Sequence, residues 1–410
     1  MVGCIGLGVI GLVSVAARVG EVEYAIREVA ALAAKLSKSG VKIIPLNIGD
    51  PVKFDFKTPQ HIKDALIKAV QEDHNMYGPS EGLPELRKAI AERLNKMGGE
   101  ISEDDVIITN GISEGIQMLT GVLVETGDEI LVPSPGYPSY NAYIRFYGGK
   151  AVAYRTVEEE GWAPDLEHLR SRLSKRTKAI LLINPNNPTG ALYDAKVVRE
   201  VVQIAAENNL ILIADEIYDE IIFENSFTPA ASLAKDVNLI GLNGFSKAHL
   251  MTGWRLGYIY LKDGETKLKE VKEGLLRLAR VRLCPNTPVQ KAGVAALKGP
   301  RDHIQDMVWK LKERRDYCLK AIQEIELMSA ATPKGAFYLF PKINLRGTRW
   351  SSDKEFVLDL LKETGVTLVH GSGFGEEYGS DHFRMVFLPP LEVLEEAFEK
   401  IRGFIKARYR

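Results

Sequence analysis

The sequence predicts an α/β protein in which helices cover both faces of a mostly parallel sheet. Between about residues 104 and 260, five short apolar runs alternate with helical segments, a pattern typical of parallel strands joined by helices. The runs lie at residues 106–108, 130–132, 180–183, 210–213 and 239–240. After about Pro300 a long charged helix at 301–325 and short mixed elements follow, which predicts a second, smaller α+β domain.

Composition narrows the class of ligand. The chain has 410 residues, of which 45% are apolar and 26% are charged, an ordinary balance for a soluble globular protein. A formal net charge of −1 provides no electrostatic basis for binding nucleic acid or an anionic membrane. We therefore expect no nucleic-acid partner, no membrane association and a small neutral or zwitterionic ligand.

The cysteines and histidines bear on the cellular compartment and on metal binding. The cysteines Cys4, Cys284 and Cys318 form no CxxC pair, so neither a disulfide framework nor a zinc site is predicted. The seven histidines are dispersed without the spacing of metal ligands. The sequence thus predicts a cytoplasmic protein without a metal site.

Residues 1–20 form a leader of unknown role. They contain GLGVIG at residues 6–11, which matches the GxGxxG pattern of dinucleotide sites, but no second strand follows at the distance that such a site requires. An export signal would carry a basic residue ahead of the apolar stretch, whereas the first basic residue here is Arg18. A non-functional leader or a packed arm is the favoured interpretation.

Two predicted helices and a loop precede the first apolar run. Helical spacing predicts helices at 21–39 and at 58–69. Between them a short strand is expected to run into a Gly-Asp-Pro turn, where Gly49 would let a ligand approach the backbone. In the loop that follows, Tyr77 is either a surface aromatic or a contact that reaches into a site.

The residues after each run belong together, because ligands of parallel sheets bind outside the carboxyl ends of the strands. Gly111, Ile112 and Ser113 follow the first run at a predicted helix start, where amides, a hydroxyl and the helix dipole favour phosphate. A plain N-cap serine is the alternative. After the second run Tyr137 could stack on a flat ring, and after the third Asn187 could donate to an oxygen anion.

The last two runs lead to charged residues. Asp215 closes the fourth run and Tyr218 follows it; a carboxylate at a buried strand end usually has a cationic or N–H partner. The fifth run leads to Ser246 and Lys247, with Arg255 eight residues beyond the lysine. A hydroxyl and a guanidinium suit a phosphate dianion, and an amine beside them suggests Schiff-base chemistry on a phosphorylated aldehyde.

Arg384 stands in the strand-like run FRMVFL of the C-terminal part. A half-buried arginine requires a carboxylate partner. Either a ligand or an internal ion pair would supply that partner.

Several motifs together carry a family resemblance. GFSKAHLMTGWRLGY, NPNNPTG, ADEIY, GYP and FRMVFLP resemble the fold-type I, pyridoxal phosphate-dependent aminotransferases of class I/II, from about Glu21 to the C-terminus. LNIGDPVKFDF, YGPSEGLPELR and LCPNTP are most similar to the archaeal alanine aminotransferase branch. The resemblance implies a mostly parallel seven-stranded sheet in the large domain, and ping-pong transfer of an amino group between an L-amino acid, alanine by branch, and 2-oxoglutarate.

The resemblance also implies the roles of the cofactor-binding residues. Lys247 would bind pyridoxal 5'-phosphate as a Schiff base and move the substrate Cα proton, Asp215 would pair with the pyridinium nitrogen, and Tyr218 would hold the ring's phenolic oxygen. The other cofactor contacts would come from Asn187 at the same oxygen, Tyr137 on the ring face, and Ile112, Ser113, Ser246 and Arg255 at the phosphate.

Substrate and subunit contacts follow from the same resemblance. Arg384 would bind the substrate α-carboxylate, helped by Gly49 and Asn187. Tyr77 would reach the cofactor phosphate of the neighbouring subunit, which implies a homodimer. The implied domains are an N-terminal segment at 21–60 that packs with the small domain, a large pyridoxal phosphate-binding domain at 61–300 and a small domain at 301–410.

The sequence departs from the family pattern at two places, and it leaves several alternatives for residue roles and activity. Many relatives have a hydroxyl residue where this chain has Gly244, so one phosphate contact would be absent or replaced, and the leader has no counterpart. Arg280 and Arg282 could meet a second substrate carboxylate or lie on a helix surface. The alternative activities are transfer from aspartate, an aromatic or a branched-chain amino acid, and a pyridoxal phosphate-dependent carbon–sulfur β-lyase.

Overall fold

A computed structural model describes residues 14–22, 25–224, 226–263 and 267–408. The GLGVIG segment at residues 6–11 therefore lies outside the described residues. The helices are α1 Ala25–Lys38, α2 Gln60–Gln71, α3 Pro84–Lys96, α4 Ile112–Leu123, α5 Pro138–Phe146, α6 Leu166–Ser171, α7 Ala195–Glu207, α8 Ala230–Leu233, α9 Lys269–Val281, α10 Thr287–Lys298, α11 Asp302–Gln323, α12 Asp353–Thr364, α13 Glu376–Gly379 and α14 Leu391–Arg408.

The strands are β1 Ile44–Pro45, β2 Val106–Thr109, β3 Glu129–Ser134, β4 Lys150–Val157, β5 Ala163–Pro164, β6 Thr177–Ile183, β7 Ile211–Asp215, β8 Asn238–Gly244, β9 Gly257–Lys262, β10 Met328–Ser329, β11 Tyr338–Leu339, β12 Lys342–Ile343, β13 Val366–Thr367, β14 Val369–His370 and β15 Phe383–Val386. Each of the five apolar runs of the sequence falls on a strand, namely β2, β3, β6, β7 and β8.

The large sheet confirms the α/β prediction. Its order is β2-β9-β8-β7-β6-β3-β4-β5, and the pairs β3–β4, β3–β6, β6–β7 and β7–β8 are parallel. Strand β9 runs antiparallel to both of its neighbours. Within the described residues the sheet has eight strands rather than the expected seven, because the two-residue β5 pairs antiparallel with β4 at one edge.

Helices cover both faces of this sheet. In β6, Ile180 and Leu182 pack into one core cluster, whereas Leu181 and Ile183 pack into another. Successive side chains of a strand point to opposite faces, so a strand buried on both sides is apolar throughout. This explains why the central strands appear in the sequence as unbroken apolar runs instead of alternating ones.

The C-terminal part has its own core. Strands β11, β15 and β14 form a three-stranded antiparallel sheet, and side chains of α11, α12 and α14 pack into one cluster with it. Strand β1 pairs in parallel with β13, with Ile44 opposite Val366, and Ile44 belongs to the same cluster. The division of the chain at residues 60 and 300 stays a prediction.

The register of the parallel strands brings their carboxyl ends together. Asp215, the last residue of β7, pairs with Ile183 at the end of β6 and with Leu242 near the end of β8. The segments that follow β2, β3, β6, β7 and β8 therefore meet at one edge of the sheet, as expected for a ligand site of an α/β fold. In the part of the chain that the structure describes, every helix is too short or too polar to cross a membrane.

Candidate active site

Lys247 lies three residues beyond the end of β8. Its amine Nζ donates a hydrogen bond to the carbonyl oxygen of Gly49 at 2.7 Å and lies 5.5 Å from the centroid of the Phe337 ring. Burial lowers the pKa of Lys247 to about 8; Asp50 opposes this shift, and the positive charge of Arg384 adds to it. A lysine with this pKa is partly neutral near pH 7, so it can act as a nucleophile or a base.

Asp215 faces the same space from the end of β7. Its side chain is buried, and its two oxygens accept hydrogen bonds from the Tyr140 hydroxyl at 2.8 Å and from the Ile217 N–H at 3.2 Å. Burial raises the pKa of Asp215 to about 6, although these hydrogen bonds and the charge of Lys247 oppose the shift. A carboxylate held in so apolar a place favours a cationic partner, and a protonated ring nitrogen would be one.

Tyr218 is held by a tyrosine of the C-terminal part. The hydroxyls of Tyr218 and Tyr338 are 2.7 Å apart, and their rings are nearly perpendicular, with centroids separated by 5.6 Å. Burial raises the pKa of Tyr218 well above its ordinary value. Tyr218 therefore stays protonated, and it can donate to an oxygen anion of a ligand.

The surroundings of Arg255 are suited to an anion. Arg255 donates to Ser246 Oγ at 3.4 Å and to the Thr252 carbonyl at 3.0 Å. Helix α4 begins after Gly111, which has a φ of 75° and offers no side-chain cap. A Cβ on Gly111 would lie 2.2 Å from Arg255 Nη2, so only glycine allows the guanidinium to pack against this helix N-terminus. Backbone amides, hydroxyls and a guanidinium converge there, as a phosphate dianion requires.

The structure also explains Gly244, the position where the family resemblance leads to the expectation of a hydroxyl residue. Gly244 ends β8 opposite Gly257 of β9. A Cβ at this position would lie 2.9 Å from the Leu256 carbonyl oxygen. A hydroxyl residue would therefore need a shift of the backbone.

Arg384 is one of the most deeply buried side chains, at 2% exposure. It donates to Asn187 Oδ1 at 2.9 Å and to the Asn47 carbonyl at 2.6 Å, so in the described part of the chain these bonds go to neutral oxygens and not to an internal carboxylate. Its guanidinium stacks on the rings of Tyr338 and Phe374, and its Nε finds no hydrogen-bond partner among the residues that the structure describes. A buried guanidinium held in this way is ready for a ligand carboxylate.

One cavity of about 400 Å³ joins these groups. It is lined by the predicted residues Gly49, Ile112, Ser113, Tyr137, Asn187, Asp215, Tyr218, Ser246, Lys247, Arg255 and Arg384. Tyr77 does not line it and is 80% exposed. The strand-end residues that the sequence singled out are thus neighbours in space, and Tyr77 is the predicted residue that a single chain does not bring to them.

Comparison with known proteins agrees with this geometry. The sequence model described as aminotransferase class I and II matches residues 41–401. The chain is 40% identical over 378 residues to glutamate-pyruvate aminotransferase AlaA of Haemophilus influenzae, covering 91% of this chain and 93% of that protein. It is 37% identical over 396 residues to an alanine aminotransferase of Mycobacterium tuberculosis, covering 95% and 92% respectively. The solved alanine aminotransferase from Pyrococcus furiosus superposes with a TM-score of 0.94 at 54% identity, covering 96% of this chain and 100% of that one.

The chain belongs to the class I and II aminotransferases. It is therefore a transaminase that uses pyridoxal 5'-phosphate. The resemblance stated from the motifs is confirmed for the family and for its alanine aminotransferase-like branch.

The cavity of this aminotransferase fits the cofactor. At the start of α4, a Cβ on Gly111 would collide with Arg255, so glycine is needed where the anion would bind. The buried carboxylate of Asp215 and the amine of Lys247 line the same cavity. The unpartnered Nε of Arg384 suits a substrate carboxylate. The donor set thus matches a phosphate, a ring nitrogen, an aldehyde and an amino acid within one cavity.

Sequence reasoning missed several residues of the site. Tyr140 and Tyr338 hold Asp215 and Tyr218, and Thr252 donates to Asp50 at 2.9 Å on the cavity wall. Arg27, on the exposed face of α1, also lines the cavity. Of these residues, only Asp50 could have been identified from the local sequence, since an acidic residue in a Gly-Asp-Pro turn often forms hydrogen bonds with nearby groups.

The two arginines proposed as contacts for a second carboxylate lie elsewhere. Arg280 donates to Glu273 at 3.1 Å and Arg282 to Glu114 at 2.7 Å. Neither is among the described residues that line the cavity. Both are therefore engaged in ion pairs within their own subunit.

We predict that the amine of Lys247 titrates near pH 8 in the cofactor-free chain, because burial and nearby cations favour its neutral form. Only a neutral amine reacts with acetic anhydride, so the acetylation rate of Lys247 should rise with pH and reach half of its plateau near pH 8. Mass spectrometry of the Lys247 peptide after trace acetylation measures this midpoint. A midpoint near the ordinary lysine value of about 10.4 would contradict the electrostatic description of the site.

Proposed function

We propose that this transaminase moves the amino group of L-alanine to 2-oxoglutarate, and the reverse, in two successive half-reactions that share one site. Support comes from the cations of the cavity. Among the described lining residues these are Arg27, Lys247, Arg255 and Arg384. Phosphate engages Arg255, the α-carboxylate engages Arg384, and Lys247 is the reactive amine, which leaves Arg27 for a second carboxylate.

The position of Arg27 fits a substrate pair of unequal size. Arg27 is exposed on α1, so it can meet the distal carboxylate of 2-oxoglutarate or glutamate and turn to solvent when alanine or pyruvate occupies the cavity. Ile26 and Ile48 line the cavity as well, and they offer apolar contact to a methyl group. The relatives named for glutamate-pyruvate and alanine aminotransferase activity support the same pair.

Each residue of the cavity has its own role in transamination. When bound, pyridoxal phosphate supplies the electron sink that makes loss of the substrate Cα proton possible. Lys247 Nζ accepts that proton and returns it, Asp215 keeps the ring nitrogen protonated, and Arg384 orients the substrate by its α-carboxylate. Tyr218, Asn187 and Tyr137 hold the ring in place, and Ile112, Ser113, Ser246 and Arg255 hold the phosphate. Gly49 helps to position the substrate through its backbone.

The proposal is tested by steady-state transamination of alanine, aspartate, tyrosine and leucine with 2-oxoglutarate. Alanine should be the preferred donor, and Lys247→Ala should abolish turnover because it removes the amine that takes the Cα proton. A clear preference for another donor would replace alanine. Release of ammonia and pyruvate from cysteine without an oxo-acid acceptor would instead indicate a lyase.

We predict that Arg27→Met raises the KM for 2-oxoglutarate and for glutamate about fivefold, since an exposed charge pair contributes at most about 1 kcal/mol. The KM for alanine should change less than about twofold, because alanine has no second carboxylate. Kinetics in both directions measure the two effects. Arg280→Met, which removes an arginine engaged with Glu273, is the matched control; equal changes for alanine and 2-oxoglutarate in the Arg27 variant would refute the role.

We also propose a homodimer in which Tyr77 completes the neighbouring site. Met76, Tyr77, Val281 and Leu283 are 54% to 83% exposed. Their two segments are tied together, since Thr287 donates to the Met76 carbonyl at 2.9 Å and Arg282 donates to the Ser80 carbonyl at 2.7 Å. Exposed apolar side chains on two linked segments favour burial against another protein surface, and a second copy of this chain would bring Tyr77 to the phosphate.

Mixing two impaired variants tests the shared site. If Tyr77 serves the neighbouring site, a dimer of one Lys247→Ala subunit and one Tyr77→Ala subunit contains one intact site. Activity of the mixture, after dissociation and reassociation, should exceed the mean of the separate variants. No gain in a mixture that sedimentation shows to be dimeric would place Tyr77 outside the partner's site.

A cytoplasmic location is proposed from cysteine usage. Cys284 and Cys318 are free thiols, and Cys318 is buried, as suits a reducing compartment. Cell fractionation tests this, and recovery in an exported fraction would contradict it.

A further inference from the structure

Behind the active site, Arg93 of α3 joins two carboxylates. Its side chain is only 13% exposed, with Nη2 lying 2.5 Å from Asp219 Oδ2 and 2.7 Å from Glu220 Oε1. Its Nε also donates to Glu220 at 3.1 Å. Arg93 does not line the described active-site cavity, so any influence on the reaction passes through these partners.

The partners of Arg93 belong to the segment that carries Asp215 and Tyr218. This segment continues from the end of β7 through Glu216 to Glu220. Asp215 and Tyr218 line the active-site cavity, whereas Asp219 and Glu220 line a different, small cavity together with Arg93. Arg93 therefore holds the side of the segment that faces away from the cofactor site.

The same carboxylate also holds the strand that leads to Lys247. Asp219 Oδ2 accepts a hydrogen bond from Asn243 Nδ2 at 2.9 Å. Asn243 belongs to β8, four residues before Lys247, and its own Oδ1 accepts from the Gly244 N–H at 2.6 Å. Asp219 thus links the segment that contains Asp215 to strand β8, which leads to Lys247. Arg93 connects both to helix α3.

The charges explain why Arg93 is needed there. Asp219 is 7% exposed and Asn243 is 3% exposed, and a buried carboxylate requires a cationic partner. Burial opposes ionisation of Glu220, but the charges of Arg93 and Arg301 prevail and lower the pKa of Glu220 to about 2. Arg301 also donates to Glu220, whereas Arg93 is the cation that contacts both carboxylates.

We propose that Arg93 is a positioning residue of the transamination reaction, which fixes Asp215 and Tyr218 relative to Lys247 through Asp219 and Asn243. This inference rests on the roles proposed for Lys247 and Asp215. Loss of Arg93 leaves the buried carboxylate of Asp219 without the cation that contacts it and leaves the half-buried Glu220 with Arg301 alone, so the segment shifts and water reaches the cavity. The environment of the Lys247 amine changes although Arg93 never touches it.

The test follows the pH midpoint of Lys247 acetylation in the full cofactor-free chain. In Arg93→Met the midpoint rises by about one unit, because burial, the largest cause of the low value, is relieved. In the loaded enzyme kcat falls about tenfold while the KM for alanine stays within about twofold, since Arg384 still binds the carboxylate. Arg93→Lys, which keeps the charge but loses the fork that spans both carboxylates, gives smaller changes in the same direction.

Arg87→Met is the control for general destabilisation. Arg87 belongs to the same helix, but it donates to the Glu103 carbonyl at 3.2 Å and lies 3.5 Å from Asp104, away from the 215–220 segment. Its loss lowers the thermal midpoint and leaves the Lys247 midpoint near 8. If Arg93→Met lowers only the thermal midpoint, as Arg87→Met does, Arg93 is structural and the proposal is overturned.

Chemical rescue provides a second readout. A cavity of about 350 Å³ is lined by Arg93 together with Glu92 and Lys298, which are exposed. In Arg93→Ala, which removes the side chain beyond Cβ, a small cation can therefore reach the space that the guanidinium occupied. Millimolar methylguanidinium should return the Lys247 midpoint and kcat of this variant toward the native values, and the same concentration of sodium chloride should not. Absence of rescue in a folded variant contradicts the proposal.

If Arg93→Met does not fold, Asn243→Ala tests the same link between Asp219 and β8 without leaving a charge unpaired. It should raise the Lys247 midpoint in the same direction, and an unchanged midpoint would overturn the proposal. Failure of the alanine assignment is distinguishable, because it would appear in the donor comparison and leave the Lys247 midpoints as described.

Discussion

The rest of the structure depends on keeping one lysine amine partly desolvated at the end of a buried strand. Lys247 follows β8, which pairs with β7 and β9 and is buried over nearly its whole length. An amine in such a place loses hydration, and the neighbouring cations Arg384 and Arg255 further disfavour its charge. The sheet therefore supplies both the position of the amine and its reactivity.

The cations around Lys247 outnumber the acidic side chains, so anionic ligands are needed to offset the positive charge of the cavity. Arg27, Arg255 and Arg384 line the cavity together with the acids Asp50 and Asp215. A phosphate and one or two carboxylates would offset the excess of positive charge, and a protonated ring nitrogen would be a further cationic partner for Asp215. The cavity thus selects an anionic cofactor and an amino acid by the same electrostatic rule.

The sequence predicted the part of the site that local patterns encode. Apolar runs identify buried strands, and ligand-binding residues follow their carboxyl ends, so Asp215 and Lys247 could be found without a structure. Tyr140 and Tyr338 could not, because they act on residues 75 and 120 positions away. Arg27 is an exposed residue of an amphipathic helix, and only the packing of α1 brings it to the cavity. The antiparallel β9 was not distinguished either, since a strand's direction depends on its connections and not on its apolar pattern.

The most direct test of this account is to reduce the purified protein, loaded with pyridoxal phosphate, with borohydride and to map the modified peptide by mass spectrometry. Reduction makes permanent any covalent link between a lysine amine and the cofactor's aldehyde carbon. We predict one modified residue, Lys247. Attachment at another lysine, or no attachment in protein that retains the cofactor, would contradict the central role of the amine at the end of β8.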